Sequence, residues 1–360
     1  MNLKDLVIPY GVVASKKWQL GSIVCSSEIP ENGVVMLFVS EYRGANFAGN
    51  NFGFERVRQQ LYQFSKLDFE GDICDLGLLV SGKTLNDTHV ILQEILSFCF
   101  YKNTLPIIVG GSQDLAYSLF RALNFHQKNI RYTHISNVLS LSHSGSEITE
   151  DNFLHKIFSA KNFSLKDFCF LGYQNFLNEK DSVNLIEEMG FEMIRLTEMM
   201  HRVDRVEPFL RKTDLVTLNC DAVESFSDAF SIHPQVNGLN RREICAYMKE
   251  VGLGEELKCF GLFNFNPASS SLLNHQLLAQ MLWHLLEGIS IQKTHPKERD
   301  YETYLVPVDK NHLAFRRDTF RNLWYFGDQE DISSCIPCSR EDFDLAKKGI
   351  LSRRLLRKIS

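Results

Sequence analysis

Eight short apolar runs recur along the chain with little polar alternation inside them, and this pattern constrains the fold more than any single motif. They are "GVVMLFV" (33–39), "ICDLGLLV" (73–80), "LPIIVG" (105–110), "IRYTHIS" (130–136), "FCFLGY" (168–173), "EMIRL" (192–196), "LVTLNCDAV" (215–223) and "CFGLFNF" (259–265). A strand with one solvated face alternates apolar and polar residues; a run without alternation reads as a strand covered on both faces. Helix-period segments lie between the runs. "TLNDTHVILQEILSFCF" places Val90, Ile91, Leu92, Ile95, Leu96 and Cys99 on one broad face. "SSLLNHQLLAQMLWHLLEG" follows a serine cap with Leu273, Leu277, Met281 and Leu285 at helical spacing. Strand alternating with helix predicts an α/β fold with a parallel sheet between helices. In such sheets, ligands bind beyond the carboxyl ends of the strands.

Charge and composition exclude some partners. A net charge of −5 and a pI near 6.1 give no electrostatic footprint for nucleic acid. No apolar run approaches the roughly 20 residues that cross a bilayer, so no membrane partner is expected. The start of the chain has no apolar signal-peptide region. With nine cysteines in 360 residues, this points to a reducing cytoplasm. The one close cysteine pair, Cys335 and Cys338, reads as two free thiols in a turn.

The last part of the chain has a different texture. "YETYLVPV" and "NLWYFG" read as strands flanking the basic "HLAFRRDTF", and "ILSRRLLRKIS" reads as a basic amphipathic helix with a solvated face. Residues 291–360 are therefore expected to form a small C-terminal appendage on a main domain spanning 1–290.

Four predicted strand ends carry polar clusters. The first is Gly110-Gly111-Ser112-Gln113-Asp114, which has neither the Lys-Ser/Thr of a P-loop nor a dinucleotide fingerprint. "ISNVLSL" holds Ser136 and Ser140. In "TLNCDAV", strand alternation puts Asn219 and Asp221 on one side and Cys220 on the other. "NFNP" holds Asn264 and Asn266. His134, within "YTHIS", reads as a hydrogen-bonded core or edge histidine. The residues alone describe an α/β protein with an uncharged polar crevice and one evident acid, Asp221.

In order and spacing these clusters resemble the ureohydrolase family of arginases, agmatinases and formiminoglutamases. The family's Gly-Gly-Asp-His-Ser aligns with Gly110 to Asp114. Its Asp-Ala-His-x-Asp aligns with Ser136, Val138 and Ser140, and its Ser-x-Asp-x-Asp with Thr217, Asn219 and Asp221. "VNGLNRREI" resembles the family's Gly-Leu-x-x-x-Glu segment, and Asn264 to Pro267 resemble its Glu-x-Asn-Pro. The resemblance covers about residues 30–290. It implies a three-layer α/β/α domain around a parallel sheet of about eight strands, and a tendency to form homo-oligomers.

The family's chemistry is hydrolysis of a guanidino or formimino carbon–nitrogen bond. A hydroxide-bridged manganese pair held by four aspartates and two histidines activates the water. Here the six ligand positions carry Gln113, Ser136, Val138, Ser140, Asn219 and Asp221, and the position of the family's substrate-binding glutamate carries Asn264. The expectation is a pocket of these residues with Asp114, without catalytic residues, metal or cofactor, in a cytoplasmic binding or assembly protein. A small amino-acid-like ligand is the partner such a pocket suggests, and a sensor of that kind is one form the function can take. The alternative is an active hydrolase of linear amidines using His134, Asp114 and Asp221.

Overall fold

The computed structural model describes residues 5–11, 14–26, 28–47, 54–143, 145–200, 202–225, 228–308, 311–327, 332–352 and 354–356. Two short strands, β1 (Val7–Ile8) and β2 (Val24–Cys25), lead into β3 (Val34–Phe38) and helix α1 (Glu55–Gln63). β4 (Ile73–Leu79), α2 (Leu85–Tyr101), β5 (Leu105–Val109), α3 (Ala116–His126) and β6 (Ile130–Ile135) follow in regular alternation. Next come α4 (Phe153–Ser159), β7 (Leu165–Tyr173), α5 (Lys180–Glu188), β8 (Glu192–Arg195), α6 (Leu196–Met199) and α7 (Val203–Arg211). β9 (Leu215–Asn219), α8 (Arg241–Gly252), β10 (Cys259–Phe263) and the long α9 (Leu272–Thr294) complete the main domain.

The sheet runs β1-β4-β3-β5-β10-β9-β6-β7-β8, with β2 beside β4. From β4 to β8 every neighbouring pair is parallel, and β1 is antiparallel at one edge. All eight apolar runs lie in this parallel stretch. Their lack of alternation has the expected cause, because adjacent side chains enter two different cores. Val34, Met36 and Phe38 pack with Val57, Leu61, Met248 and Leu278 from α1, α8 and α9. Val35, Leu37 and Val39 pack with Leu92, Leu119, Phe153 and Ile186 from α2, α3, α4 and α5. Three layers result, and both faces of the sheet are dry.

Helix faces differ from the sequence reading at their edges. Within α2, Leu92, Ile95, Leu96 and Cys99 are buried, whereas Val90 is exposed. Thr84 caps this helix and forms a capping box with Asp87. Ser271 precedes α9 without a side-chain cap, and Leu273 is exposed.

Beyond α9 the chain forms a four-stranded antiparallel sheet of β11 (Tyr301–Val308), β12 (Asn311–Asp318), β13 (Trp324–Phe326) and β14 (Ile336–Cys338), then α10 (Arg340–Ala346). The basic "HLAFRRD" is itself a strand, β12, rather than a link between strands. Phe315 enters a core shared with Trp324, Phe326 and Phe343, beside buried Ala314, while the following Arg316 and Arg317 are partly exposed. α9 extends to Thr294, so the change of architecture falls a few residues after 291. Residues 353 and 357–360 of the expected terminal helix lie outside the described residues.

The appendage is fastened through basic residues around α7. Arg211 donates to the Trp324 carbonyl at 2.7 Å, and Lys212 donates to the carbonyls of Ile332, Ser333 and Cys335 at 2.7–2.9 Å. Arg299 bridges Asp318 at 2.7 Å and Glu255 at 2.9 Å. Cys335 and Cys338 are buried free thiols.

Candidate functional site

The site is assembled from the carboxyl ends of four adjacent strands. After β5 the chain turns on Gly110 and Gly111, at φ +97° and +74°. A side chain on Gly110 would run into the Phe54 ring and the Val39 carbonyl, so glycine is required for shape as well as dihedral angle. Gln113 follows on a single 3-10 turn leading into α3 and is buried. Its backbone N–H donates to Asn264 Oδ1 at 2.9 Å. Asn264 sits immediately after β10 in the left-handed region, φ 59°, a conformation asparagine tolerates better than most residues.

A relay of neutral amides fills the centre. Asn219 Nδ2 donates to Gln113 Oε1 at 2.6 Å, and Gln113 Nε2 donates to Ser140 Oγ at 3.1 Å and to the Glu150 carbonyl at 3.2 Å. Asn219 Oδ1 in turn accepts the Asp221 backbone N–H at 2.9 Å. Beside the relay, Asn264 Nδ2 donates to Asp221 Oδ2 at 2.9 Å and to Glu150 Oε2 at 3.2 Å. Glu150 Oε1 pairs with His233 Nε2 at 2.9 Å, and the His233 backbone N–H reaches Asp221 Oδ1 at 3.4 Å. Gln113, Ser140, Asn219, Asp221 and Asn264 are all at most 5 % exposed, so the crevice is filled by its own side chains; His233, with 45 % of its side chain exposed, forms the rim.

The electrostatics follow from this burial. Burial pushes the Asp221 carboxyl up to about 6, against the opposing hydrogen bond from Asn264. His233 is raised from the ordinary imidazole value, first by its hydrogen bond to Glu150. Together they form an acid–histidine–acid group in which the histidine is the most exposed member.

The structure therefore brings Gln113, Ser140, Asn219, Asp221 and Asn264 into one hydrogen-bonded cluster. Ser136 lies just past the end of β6, its hydroxyl engaged with the backbone of Val138, and Val138 is partly exposed nearer the surface. Asp114 faces away from the cluster. Its carboxylate is fully buried against the Ser112 hydroxyl and lies 3.1 Å from His89 Nε2, because the 3-10 turn rotates successive side chains to different sides. His134 is also elsewhere. It is buried among Phe153 and Phe170, with Nδ1 at 2.7 Å from Thr217 Oγ1, and burial lowers its pKa to about 3. The combination of His134, Asp114 and Asp221 is thus not brought together.

Asp221 reaches the crevice by a different route from the expected one. β9 ends at Asn219, and Cys220–Ala222 form a 3-10 turn, so strand alternation does not apply there. Cys220 is buried in the core. Glu150 and His233 escaped the sequence reading. "EITED" offers three acids with nothing to single out Glu150, and "SIHP" contains a lone histidine.

An eight-stranded parallel sheet between two helical layers, with its polar crevice at the carboxyl ends of β5, β6, β9 and β10, defines a three-layer α/β protein of the arginase type. The chain belongs to the arginase family, whose sequence model matches residues 33–286. A formimidoylglutamase of Staphylococcus carnosus is 24 % identical over 193 residues, covering 51 % of this chain and 61 % of that protein. Among solved structures, Trypanosoma cruzi formiminoglutamase with Mn2+ superposes with a TM-score of 0.66 at 16 % identity, covering 73 % of this chain and 94 % of that one. Formimidoylglutamase from Bacillus subtilis gives 0.67 at 13 % identity over 80 % and 93 %. Proclavaminate amidino hydrolase from Streptomyces clavuligerus gives 0.64 at 14 % over 77 % and 98 %. At these identities the superpositions speak for the fold.

Proposed function

We propose that this chain is a non-catalytic member of the arginase family, in which an amide-filled crevice replaces a manganese pair and function rests on binding. The observation that carries the reading is the Asn219–Gln113–Ser140 relay. Manganese favours carboxylate and imidazole donors, and two divalent ions need anionic charge around them. Of the six matching positions, Asp221 alone is ionisable. The nearest added acid, Glu150, shares the Asn264 amide nitrogen with Asp221, and an N–H donor in that place opposes a cation. The donor set does not fit the metal pair. Among the described residues no group of three His, Cys, Asp or Glu is arranged to hold a metal ion.

Neutral side chains also explain how the crevice folds. Opposed carboxylates without metal repel and take up protons, whereas Gln113, Asn219 and Ser140 satisfy one another. The buried cluster favours an outer surface as the binding element; an amino-acid-like ligand would meet His233 at the rim. Exposed Phe98, Tyr101 and Phe125 on α2 and α3 support association with a second copy. Nine free thiols support a cytoplasmic setting, and no helix among the described residues is long and apolar enough to cross a membrane.

The test is elemental analysis of the purified chain after exposure to manganese, paired with formamide, urea and ammonia assays on formiminoglutamate, arginine and agmatine. The expected result is no retained manganese and no turnover. Two tightly held ions per chain would overturn the reading. A second reading, a metal-independent C–N hydrolase, draws on the Glu150–His233 pair beside Asp221. Turnover that persists in chelator and disappears in His233→Ala would favour it.

A further inference from the structure

The opposite end of the sheet holds a second polar feature, independent of the crevice. There the amino ends of β6, β7 and β8 and the residues before β9 face the appendage across a cavity of about 730 Å³. That volume is in the range of small-molecule sites, which span roughly 300–1,000 Å³. Four cations line it, Arg131, Lys166, Lys212 and Arg354, against two carboxylates, Asp167 and Glu192.

The four cations have different duties. Lys212 forms the floor, and its three carbonyl bonds use all the donors of an ammonium group. Burial pulls its pKa down to about 8; the Glu255 charge opposes that pull and the Arg131 charge adds to it. Arg354 lies over the Phe209 ring at 4.3 Å, with Nη2 3.5 Å from the Pro208 carbonyl. Among the described residues, Arg131 and Lys166 meet no carboxylate in an ion pair. Of the opposing acids, Asp167 already accepts its neighbour Phe168's N–H at 3.0 Å. A recess in which cations outnumber carboxylates favours anions, and guanidinium groups match planar or tetrahedral oxyanions.

We propose that this seam between main domain and appendage binds a small dianion, a phosphate ester or a dicarboxylate, held by Arg131, Lys166 and Arg354 above the Lys212 floor. A ligand there touches both parts of the molecule, so its binding also stabilises their docking.

The experiment is isothermal titration of the full chain at low ionic strength with sodium phosphate, with sodium succinate and with sodium chloride as control. One saturable site per chain for phosphate or succinate, and none for chloride, is expected. Phosphate alone would identify the phosphate-ester class, succinate alone the dicarboxylate class, and both a general dianion site. Lys166→Gln and Arg131→Gln should each weaken binding about tenfold, the scale of one charge-assisted contact. Asp167→Asn should tighten it. Lys166 is exposed, so its replacement leaves the fold intact and keeps the test decisive if Arg131→Gln does not fold. No saturable binding of either dianion, or equal affinity in wild type and Lys166→Gln, would overturn the proposal.

Discussion

Asn264 places one neutral amide nitrogen between two carboxylates, 2.9 Å from Asp221 and 3.2 Å from Glu150. Its oxygen meanwhile holds the N–H of Gln113. One side chain thus ties the turn after β5 to the acid–histidine–acid group at the rim.

Removing that amide should leave three groups unsatisfied. Asn264→Gly keeps the left-handed backbone accessible, which Ala would strain, so it isolates the side chain's contribution. A loss of about 1–3 kcal/mol is expected in urea unfolding at pH 8, the scale of stranding buried hydrogen-bonding groups. The loss should shrink near pH 5, where protonated Asp221 no longer confronts Glu150 as a second charge. An equal loss at both pH values would mean that the amide does not mediate between the acids.

Asp221 itself predicts a pH dependence. Its folded pKa, about 6, lies above the ordinary value of 3.8. The native state therefore keeps a proton that the unfolded chain releases between these values. This contribution is fully present below about pH 4 and is lost as pH rises through 6. Over that interval it amounts to at most about 3 kcal/mol. Asp221→Asn should become more stable relative to wild type between pH 4 and 7, measured by parallel denaturant titrations. A constant difference would place the carboxyl in a wetter setting than its burial indicates.

His134 works in the other direction. Its folded pKa of about 3 is depressed from 6.5, so below pH 6.5 the unfolded chain binds a proton that the core refuses. Stability is lost as pH falls from 6.5 toward 3. His134→Phe keeps the aromatic packing with Phe153 and Phe170, and Thr217 retains Tyr132 at 2.7 Å as a partner. The variant should unfold at lower pH than wild type in an acid titration followed by circular dichroism. Coincident acid transitions would remove His134 as a source of acid lability.

Arg299 is a partly buried link between α8's trailing loop and the appendage. Asp318 is 0 % exposed and Glu255 nearly buried, so Arg299→Gln strands both acids. Breaking such a pair costs about 3–5 kcal/mol. The appendage should then become the first site of proteolytic cutting, read by mass spectrometry of a timed digest. An unchanged digestion pattern would show that the remaining contacts hold the seam alone.

The sequence carried the fold and part of the site for the same physical reason. Val34 to Phe38 face two cores alternately, so burial on both sides wrote an unbroken apolar run that periodicity could read. Gly110, Gly111, Gln113 and Asn219 mark strand ends, where polar residues interrupt such runs. Asp114 was misplaced because the residues after Gly111 form a 3-10 turn, whose side chains do not keep to the strand's two sides. Glu150 and His233 depend on loops 83 residues apart meeting over the crevice. No local spacing records that meeting.

The contacts of Arg211, Lys212 and Arg299 have one more consequence, for the covalent link itself. Cohesion between the main domain and the four-stranded sheet comes from side chains reaching carbonyls and acids across the seam, rather than from the strand of chain between Thr294 and Tyr301. Two separately made pieces, divided in that connection, would carry matching halves of every staple and reassemble as a split protein.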